Sequence, residues 1–232
     1  MNFEWNSQTI QWYQAANAHS GFYSKLAELI APKLEGYTSF CDIGCGLGLI
    51  DLELSRLVSQ ITCIDISREA IAALQKSLAE RKIGNIEARL SDYRASDESW
   101  DVIHVSFFGS RELAELLPRC RKLIAVVSRA VTDTELYPGK YRSFHRHSAE
   151  EVEMELRSAG IPFSVINTTL DFGQPLVSLE EAQEFVRTHS PEITHLDLAD
   201  FLSRNLVKTG QSDYPFLLPH RKPIGIFEIF PN

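Results

Sequence analysis

Apolar residues recur along this chain with two alternating periods. In the opening segment Phe22, Leu26, Leu29 and Ile30 return at helical spacing and Pro32 falls near the end, which predicts helix to about Leu34. Ser39 to Ile43 is a short apolar run closed by glycines, the pattern of a buried strand. Leu49 to Val58 reads as helix, with Ile50, Leu54 and Leu57 on one face. Gln60 to Ile66 predicts a second strand. Ser67 can cap the helix after it, whose inward stripe is Ala70, Ile71, Leu74 and Leu78. Strands follow at Ile86 to Leu90 and Trp100 to Phe107, then a helix over roughly Ser110 to Leu117 and an apolar run from Lys122 to Ser128. Ser148-x-x-Glu151 is a capping box that opens a helix ending at Gly160, and Phe163 to Asp171 alternates as a strand does.

Strands alternating with helices of this length predict an α/β domain, doubly wound, whose mostly parallel sheet is covered on both faces. The chain, 1–232, is long enough for one such domain, preceded by an N-terminal helical segment over 1–36. The tail differs. Ser178-x-x-Glu181 opens a helix with Leu179, Ala182, Phe185 and Val186 on one face, Pro191 separates it from a helix around Leu196 to Val207, and Ile224 to Phe230 suits a last strand. Some fifty residues between the last two strands are too many for a hairpin. They predict a helical cap insertion over 174–215.

Composition narrows the class. Hydrophobic residues are 44% and charged residues 23%, ordinary globular usage. No stretch approaches the roughly 20 apolar residues of a membrane span, and Met1 to Gln14 lacks the basic-then-apolar order of a secretory signal, so a cytoplasmic protein is expected. The net charge of −8 argues against a nucleic-acid partner, and the basic run Arg119-Cys120-Arg121-Lys122 reads as a solvated helix end. Cys41, Cys45, Cys63 and Cys120 form no C-x-x-C pair. They read as small buried side chains in a reducing compartment, with no metal.

The informative stretch is Phe40-Cys41-Asp42-Ile43-Gly44-Cys45-Gly46-Leu47-Gly48, a strand that feeds directly into a helix. Glycines there let the backbone bend sharply and approach a ligand where a Cβ would clash. The second strand ends in Asp65, placed to accept both hydroxyls of an adenosine ribose. Two adenosine cofactors could use this geometry. The nicotinamide fingerprint G-x-G-x-x-G needs its third glycine at position 49, which is leucine; the third glycine here is Gly48. Asp42 would also repel a pyrophosphate, whereas it attracts the ammonium and sulfonium of S-adenosylmethionine.

Asp42-Ile43-Gly44-Cys45-Gly46-Leu47-Gly48, then Asp65, then Ser91-Asp92-Tyr93, resembles the first three motifs of class I S-adenosylmethionine-dependent methyltransferases, and most of all the small-molecule group similar to quinone-biosynthesis methyltransferases. The resemblance covers about 37 to 130, weakens through Phe172 and is poorest in the helical tail. It implies a Rossmann-like seven-stranded sheet and S-adenosyl-L-methionine as donor, with S-adenosyl-L-homocysteine as product. It further implies that Gly44, Cys45 and Gly46 line the methionine portion and that Asp65 binds the ribose. Asp92 would hold the adenine amino group, Ile66 and Tyr93 would pack on the ring, and Ser106 and Phe107 would lie near the sulfur.

Methyl transfer is an in-line displacement in which the protein mainly aligns the acceptor and excludes water. No N/D-P-P-Y/F motif follows the strand Asp101 to Phe107, which reads Val105-Ser106-Phe107-Phe108-Gly109 and argues for a small-molecule acceptor over DNA or protein glutamine. Sites in parallel sheets lie outside the carboxyl ends of the strands. The loop after Ser128 carries Tyr137, Tyr141, Arg142, His145, Arg146 and His147, so His145, His147 and Tyr141 are candidates for acceptor contact or proton transfer, against a solvated loop as the plainer reading. The insertion would cover the site. The N-terminal helix, with Trp5, Trp12, Tyr13 and Phe22, would close the other side, Tyr13 being a candidate cofactor contact and Phe22 reading rather as core. His220-Arg221-Lys222 reads as an exposed turn, with binding of an acidic acceptor as the sharper alternative. A non-catalytic domain that binds S-adenosylmethionine and, with less support, a nicotinamide oxidoreductase remain as alternatives. The sequence leaves open the acceptor, the acceptor atom, the base and the oligomeric state.

Overall fold

The structure, a computed structural model, describes residues 3–108, 111, 113–130, 134–141 and 147–231. The opening helical segment is two helices. α1 (Ser7–Ser20) begins at a capping box made by Asn6 and Thr9, and α2 (Phe22–Ile30) follows directly. Gly21 divides them because it stands in the left-handed region at φ +65°, a conformation that an L side chain resists.

The strands are β1 (Ser39–Ile43), β2 (Gln60–Asp65), β3 (Ile86–Leu90), β4 (Trp100–Ser106), β5 (Cys120–Ser128), β6 (Phe163–Asp171) and β10 (Arg221–Ile229), in the sheet order β3-β2-β1-β4-β5-β10-β6. Only β10 runs antiparallel to its neighbours, β5 and β6. The chain winds outward from β1 through β2 and β3, then returns to lay β4 on the other side of β1. A crevice therefore opens between the carboxyl ends of β1 and β4, where the winding reverses.

α3 (Leu49–Leu54) and α4 (Arg68–Arg81) share one face of the sheet with α1 and α2, around Phe22, Leu26, Ile50, Leu74 and Ile226. α5 (Leu113–Leu116) and α6 (Ala149–Ser158) cover the other face, around Ile103, Leu123, Val152 and Phe227. α3 is shorter than its apolar stripe predicts. The Ser55 hydroxyl donates back to the Leu52 carbonyl, and the Asn85 amide takes the carbonyls of Ser55 and Val58, which gives the backbone partners outside a helix.

The insertion contains the two expected helices, α7 (Leu179–His189) and α8 (His195–Asn205), and also β7 (Gln174–Leu176), β8 (Val207–Lys208) and β9 (Phe216–Leu218), paired in the order β7-β9-β8. Val207, expected in the second helix, is in β8. Strands of two or three residues are too short to print a period of two on the sequence. Trp12 of α1 is buried in the insertion's core beside Leu176, Phe185 and Leu202, and its indole N–H donates to Glu181 at 3.0 Å. It therefore clamps α1 to the insertion rather than facing a ligand. In the basic run at 119–122, Lys122 is a buried strand residue 3.1 Å from Glu228, not part of a solvated helix end, while Arg121 stays exposed.

Candidate functional site

β1 delivers Asp42 and Ile43 to the crevice, and the chain then turns through Gly44, Gly46 and Gly48 at φ +71°, +53° and +60° before α3 begins. The turn is tied to the end of β2. Gly44 and Cys45 donate their N–H groups to the Ile64 carbonyl, and the Gly46 N–H donates to Asp65 Oδ2 at 2.8 Å. The other Asp65 oxygen accepts from the Ser67 N–H at 2.8 Å. Each carboxylate oxygen retains a lone pair for a further donor. Ile66, next along, is exposed.

The three glycines are required for different contacts. A Cβ on Gly44 would lie 2.6 Å from the Phe108 ring, one on Gly46 would lie 2.8 Å from the Trp5 ring, and one on Gly48 would lie 2.6 Å from the Leu74 side chain. Gly48 thus serves helix packing. Gly44 and Gly46 instead present bare backbone to two aromatic side chains that belong to the loop after β4 and the segment before α1. Nothing local to Phe108 marks it for that place, because its contact with Gly44 is made across the fold.

Asp42 does not face the crevice as an open carboxylate. It is 2% exposed and shares a 2.7 Å hydrogen bond with His104 Nδ1 of β4, its register partner. Burial pushes its carboxyl up to about 7, with the charge of Asp65 adding to the rise, although a hydrogen bond with Asp51 acts the other way. Asp51, on α3, is fully buried. Among the described residues no N–H or O–H donates to either of its oxygens, and its neighbours are the carboxyl of Asp42 and the thiol of Cys63. Burial, and then the Asp42 charge, push Asp51 well above the ordinary carboxyl range. His104 goes the other way: burial lowers it to about 4, so its ring is neutral. A buried proton-sharing cluster thus underlies the turn. Sequence reasoning missed Asp51 and His104, because a polar residue inside an apolar stripe or strand looks the same whether it is buried or turned out.

Asp92 caps the turn after β3, where its side chain accepts from the Arg94 N–H at 2.9 Å, while the Ser91 hydroxyl donates to the Asp92 carbonyl. Tyr93 is placed differently from the expectation. Its ring is buried with Trp100, Leu113 and Leu117 on the far face, so it is a packing residue and not a surface on which a purine could lie. The apolar ring finds more surface to bury below the sheet than at its rim.

Ser106 and Phe107 end β4 at the crevice. The Ser106 hydroxyl is buried without a partner among the described residues, and Phe107 holds φ +59°, a strained value for a residue with a Cβ. Around Phe107 stands an aromatic cluster: Phe22 at 6.1 Å between ring centroids, Phe172 at 4.8 Å from Phe22, and Tyr13 at 5.1 Å from Phe172. Within it the hydroxyls of Tyr13 and Tyr23 meet at 2.6 Å. Burial raises the pKa of both, Tyr23 further because Tyr13, Asp42 and Asp51 are near, so both phenols stay protonated.

Of the acceptor candidates on the loop after β5, Tyr141 and His147 take separate partners. Arg142, His145 and Arg146 lie outside the described residues. The Tyr141 hydroxyl hydrogen-bonds to Asp197 at the start of α8, which braces the loop against the insertion. His147 Nε2 pairs with Glu155 at 3.0 Å, two turns along α6.

Residues 40–127 match the family model described as a methyltransferase domain. No curated protein sequence matches the chain. Among solved structures, the fold is similar to that of an S-adenosylmethionine-dependent methyltransferase from Aquifex aeolicus, with a TM-score of 0.56 and 14% identity over 99% of this chain and all (100%) of that one. It is also similar to magnesium protoporphyrin IX methyltransferase from Synechocystis PCC 6803, solved with bound S-adenosylmethionine, at TM-score 0.54 and 12% identity over 99% of this chain and 86% of that one. The YcgJ protein from Bacillus subtilis gives a TM-score of 0.56 and 14% identity over 89% of this chain and 98% of its own. At such identities the likeness is one of fold.

Proposed function

We propose that the chain is a class I methyltransferase that uses S-adenosylmethionine and methylates a small-molecule acceptor by in-line displacement, with S-adenosylhomocysteine as the second product. When bound, the donor supplies an electrophilic methyl group on a sulfonium that is already a leaving group. The residues fit that donor. Gly44 and Gly46 offer backbone bare of Cβ, with Cys45 between them, for its aminoacyl portion, and Asp42 lies just beneath to balance its positive charge once ionised. Asp65 keeps acceptor capacity for ribose hydroxyls, Asp92 stands at the rim for the adenine amino group, and the exposed Ile66 offers an apolar surface to the ring. The buried Ser106 hydroxyl, without a partner among the described residues, and the Phe107 ring lie at the strand end where the methyl group would point.

The observation that carries the small-molecule reading is the aromatic cluster of Tyr13, Phe22, Phe107 and Phe172 at the carboxyl end of β4. Phe107 and Tyr13, the partly exposed members of the cluster, would offer an apolar face to a compact acceptor, whereas a nucleic-acid strand needs a basic, open track. The net charge of −8 works in the same direction.

Two measurements test this. Thermal shifts should appear with S-adenosylmethionine and S-adenosylhomocysteine and not with NAD. After incubation of a cell extract with the protein and methyl-labelled donor, label should accumulate in the metabolite fraction. Label confined to RNA or protein would overturn the acceptor reading while leaving the donor reading intact.

A further inference from the structure

β6 closes one end of the sheet, and no described strand pairs with its far side. Its ladder with β10 runs without a bulge from Asp171 opposite Arg221 to Phe163 opposite Ile229. Just beyond the two ends, the Phe172 N–H donates to the His220 carbonyl and the Phe230 N–H to the Pro162 carbonyl. Bonded positions alternate in an antiparallel ladder, so Ser164, Ile166, Thr168 and Leu170 turn their backbone groups to β10. Phe163, Val165, Asn167, Thr169 and Asp171 turn theirs outward. Natural edges are blunted by lysine, proline, bulges or covering segments. This one is 9 residues long, holds no lysine, arginine, proline or glycine, and carries its one charge, Asp171, at its end.

We infer that two copies of this chain pair antiparallel through β6, about a two-fold axis at Asn167, so that their sheets join into one. The outward residues then meet in register: Asn167 faces its own copy, Val165 faces the partner's Thr169, and Phe163 faces the partner's Asp171. The inference stands apart from the reading of donor and acceptor.

Symmetry and charge select a second copy as the occupant. An antiparallel strand pair is self-complementary, which a two-fold contact between identical chains requires. With the axis at Asn167 every residue of the strand finds a partner, whereas a shift in either direction leaves an end unpaired. Phe163 and Asp171 lie on the same face of the strand, the one packed under α6. Arg157 of α6 stands there, its guanidinium 5.4 Å from the centroid of the Phe163 ring. It spends Nε and Nη2 on Glu153 and leaves Nη1 without an acceptor among the described residues. The partner's Asp171, exposed in the single chain, would arrive opposite Phe163 and beside that guanidinium. An open groove of about 550 Å³, lined by Arg157, Pro162 and Phe163, lies at this end of the strand to admit it. Along the strand pair no like charges face each other. On the other face Ile166, 42% exposed in the single chain, is covered by the partner's Thr168.

The experiment uses the full chain. Sedimentation and light scattering should give twice the mass of one chain at protein concentrations up to about 100 μM. Asn167→Lys sets two ammonium groups directly opposite each other, and should give a monomer with an unchanged far-ultraviolet circular dichroism spectrum. Thr169→Pro removes an outward N–H without touching the β10 ladder, and should do the same. Asp171→Arg should weaken the dimer by about tenfold, and adding Arg157→Asp should restore it. A contact that serves only the fold of one chain would show no such rescue. The register has its own check. Asn167→Cys should cross-link to its copy with a short bis-maleimide, while Thr169→Cys, displaced from its copy by four residues along the strand (169 − 165), and the parent should not. A monomer at every concentration overturns the inference. So does a dimer that survives Asn167→Lys, or one in which Asn167→Cys fails to cross-link.

Discussion

Asp42 and His104 are register partners across the β1–β4 ladder, and their side chains share a 2.7 Å hydrogen bond directly under the glycine turn. With His104 held neutral by burial, it is the carboxyl of Asp42, pushed up to about 7, that titrates in the neutral range. The turn therefore acquires its full negative charge only when pH or a cation draws the proton away.

Donor binding should consequently depend on pH. A carboxyl titrating near 7 gains most of its ionised fraction between about pH 5.5 and 7.5, and affinity for S-adenosylmethionine should tighten by roughly tenfold over that interval. The ligand-free protein should move in the opposite sense. The folded-state value lies above the ordinary 3.8, so this group contributes stability below about pH 4 that is lost as pH rises through about 7. Calorimetric titrations across this range check the first statement and thermal melts of the free protein the second. Asp42→Asn should flatten both profiles; an unchanged binding profile in that variant would assign the titration elsewhere.

The glycines should separate in their effects. Gly48→Ala meets Leu74 in the core as well as a positive φ, so a cost of roughly 2–4 kcal/mol is expected. Gly46→Ala meets only the Trp5 ring, at the end of a side chain that can swing, so about 1 kcal/mol of strain is expected. Binding should show the reverse order: Gly46→Ala should lose S-adenosylhomocysteine more severely than Gly48→Ala. Paired denaturation and binding curves would reveal it, and equal stability losses would refute the division.

Much of this was legible in the chain itself. The strand, turn and helix from Phe40 onward carry their conformation in residue type, because an apolar run closed by glycines at 44, 46 and 48 has few ways to fold. Ser148 and Ser178 mark helix starts by a local hydrogen bond, and local signals survive translation into three dimensions. Side-chain direction did not read out. Tyr93 turned into the core, Lys222 entered a strand, and Trp12 found Glu181 across 169 residues of sequence. Each outcome depends on a partner distant along the chain, which no window of neighbouring residues contains.

Trp5 offers an optical report on the site. Its ring lies against Gly46, with Tyr13 at 5.2 Å between centroids, so a ligand approaching that backbone must displace it. Titration with S-adenosylhomocysteine should change the intrinsic fluorescence. Trp5→Phe should remove most of the change while calorimetry still detects binding. If Trp12 or Trp100 carries the signal instead, the full change will persist in that variant.

Asp51 gives the sharpest stability test, because a buried carboxyl with no N–H or O–H donor among the described residues is costly to ionise. Burial raises its folded-state value well above that of the unfolded chain, so its contribution too is present in acid and lost as pH rises. Asp51→Asn keeps the shape and removes the charge. The variant should melt higher than the parent at about pH 8, with the difference shrinking as pH falls toward about 4. A variant that loses stability equally at both pH values would show instead that Asp51 serves the fold through a contact of its carboxyl that an amide cannot make.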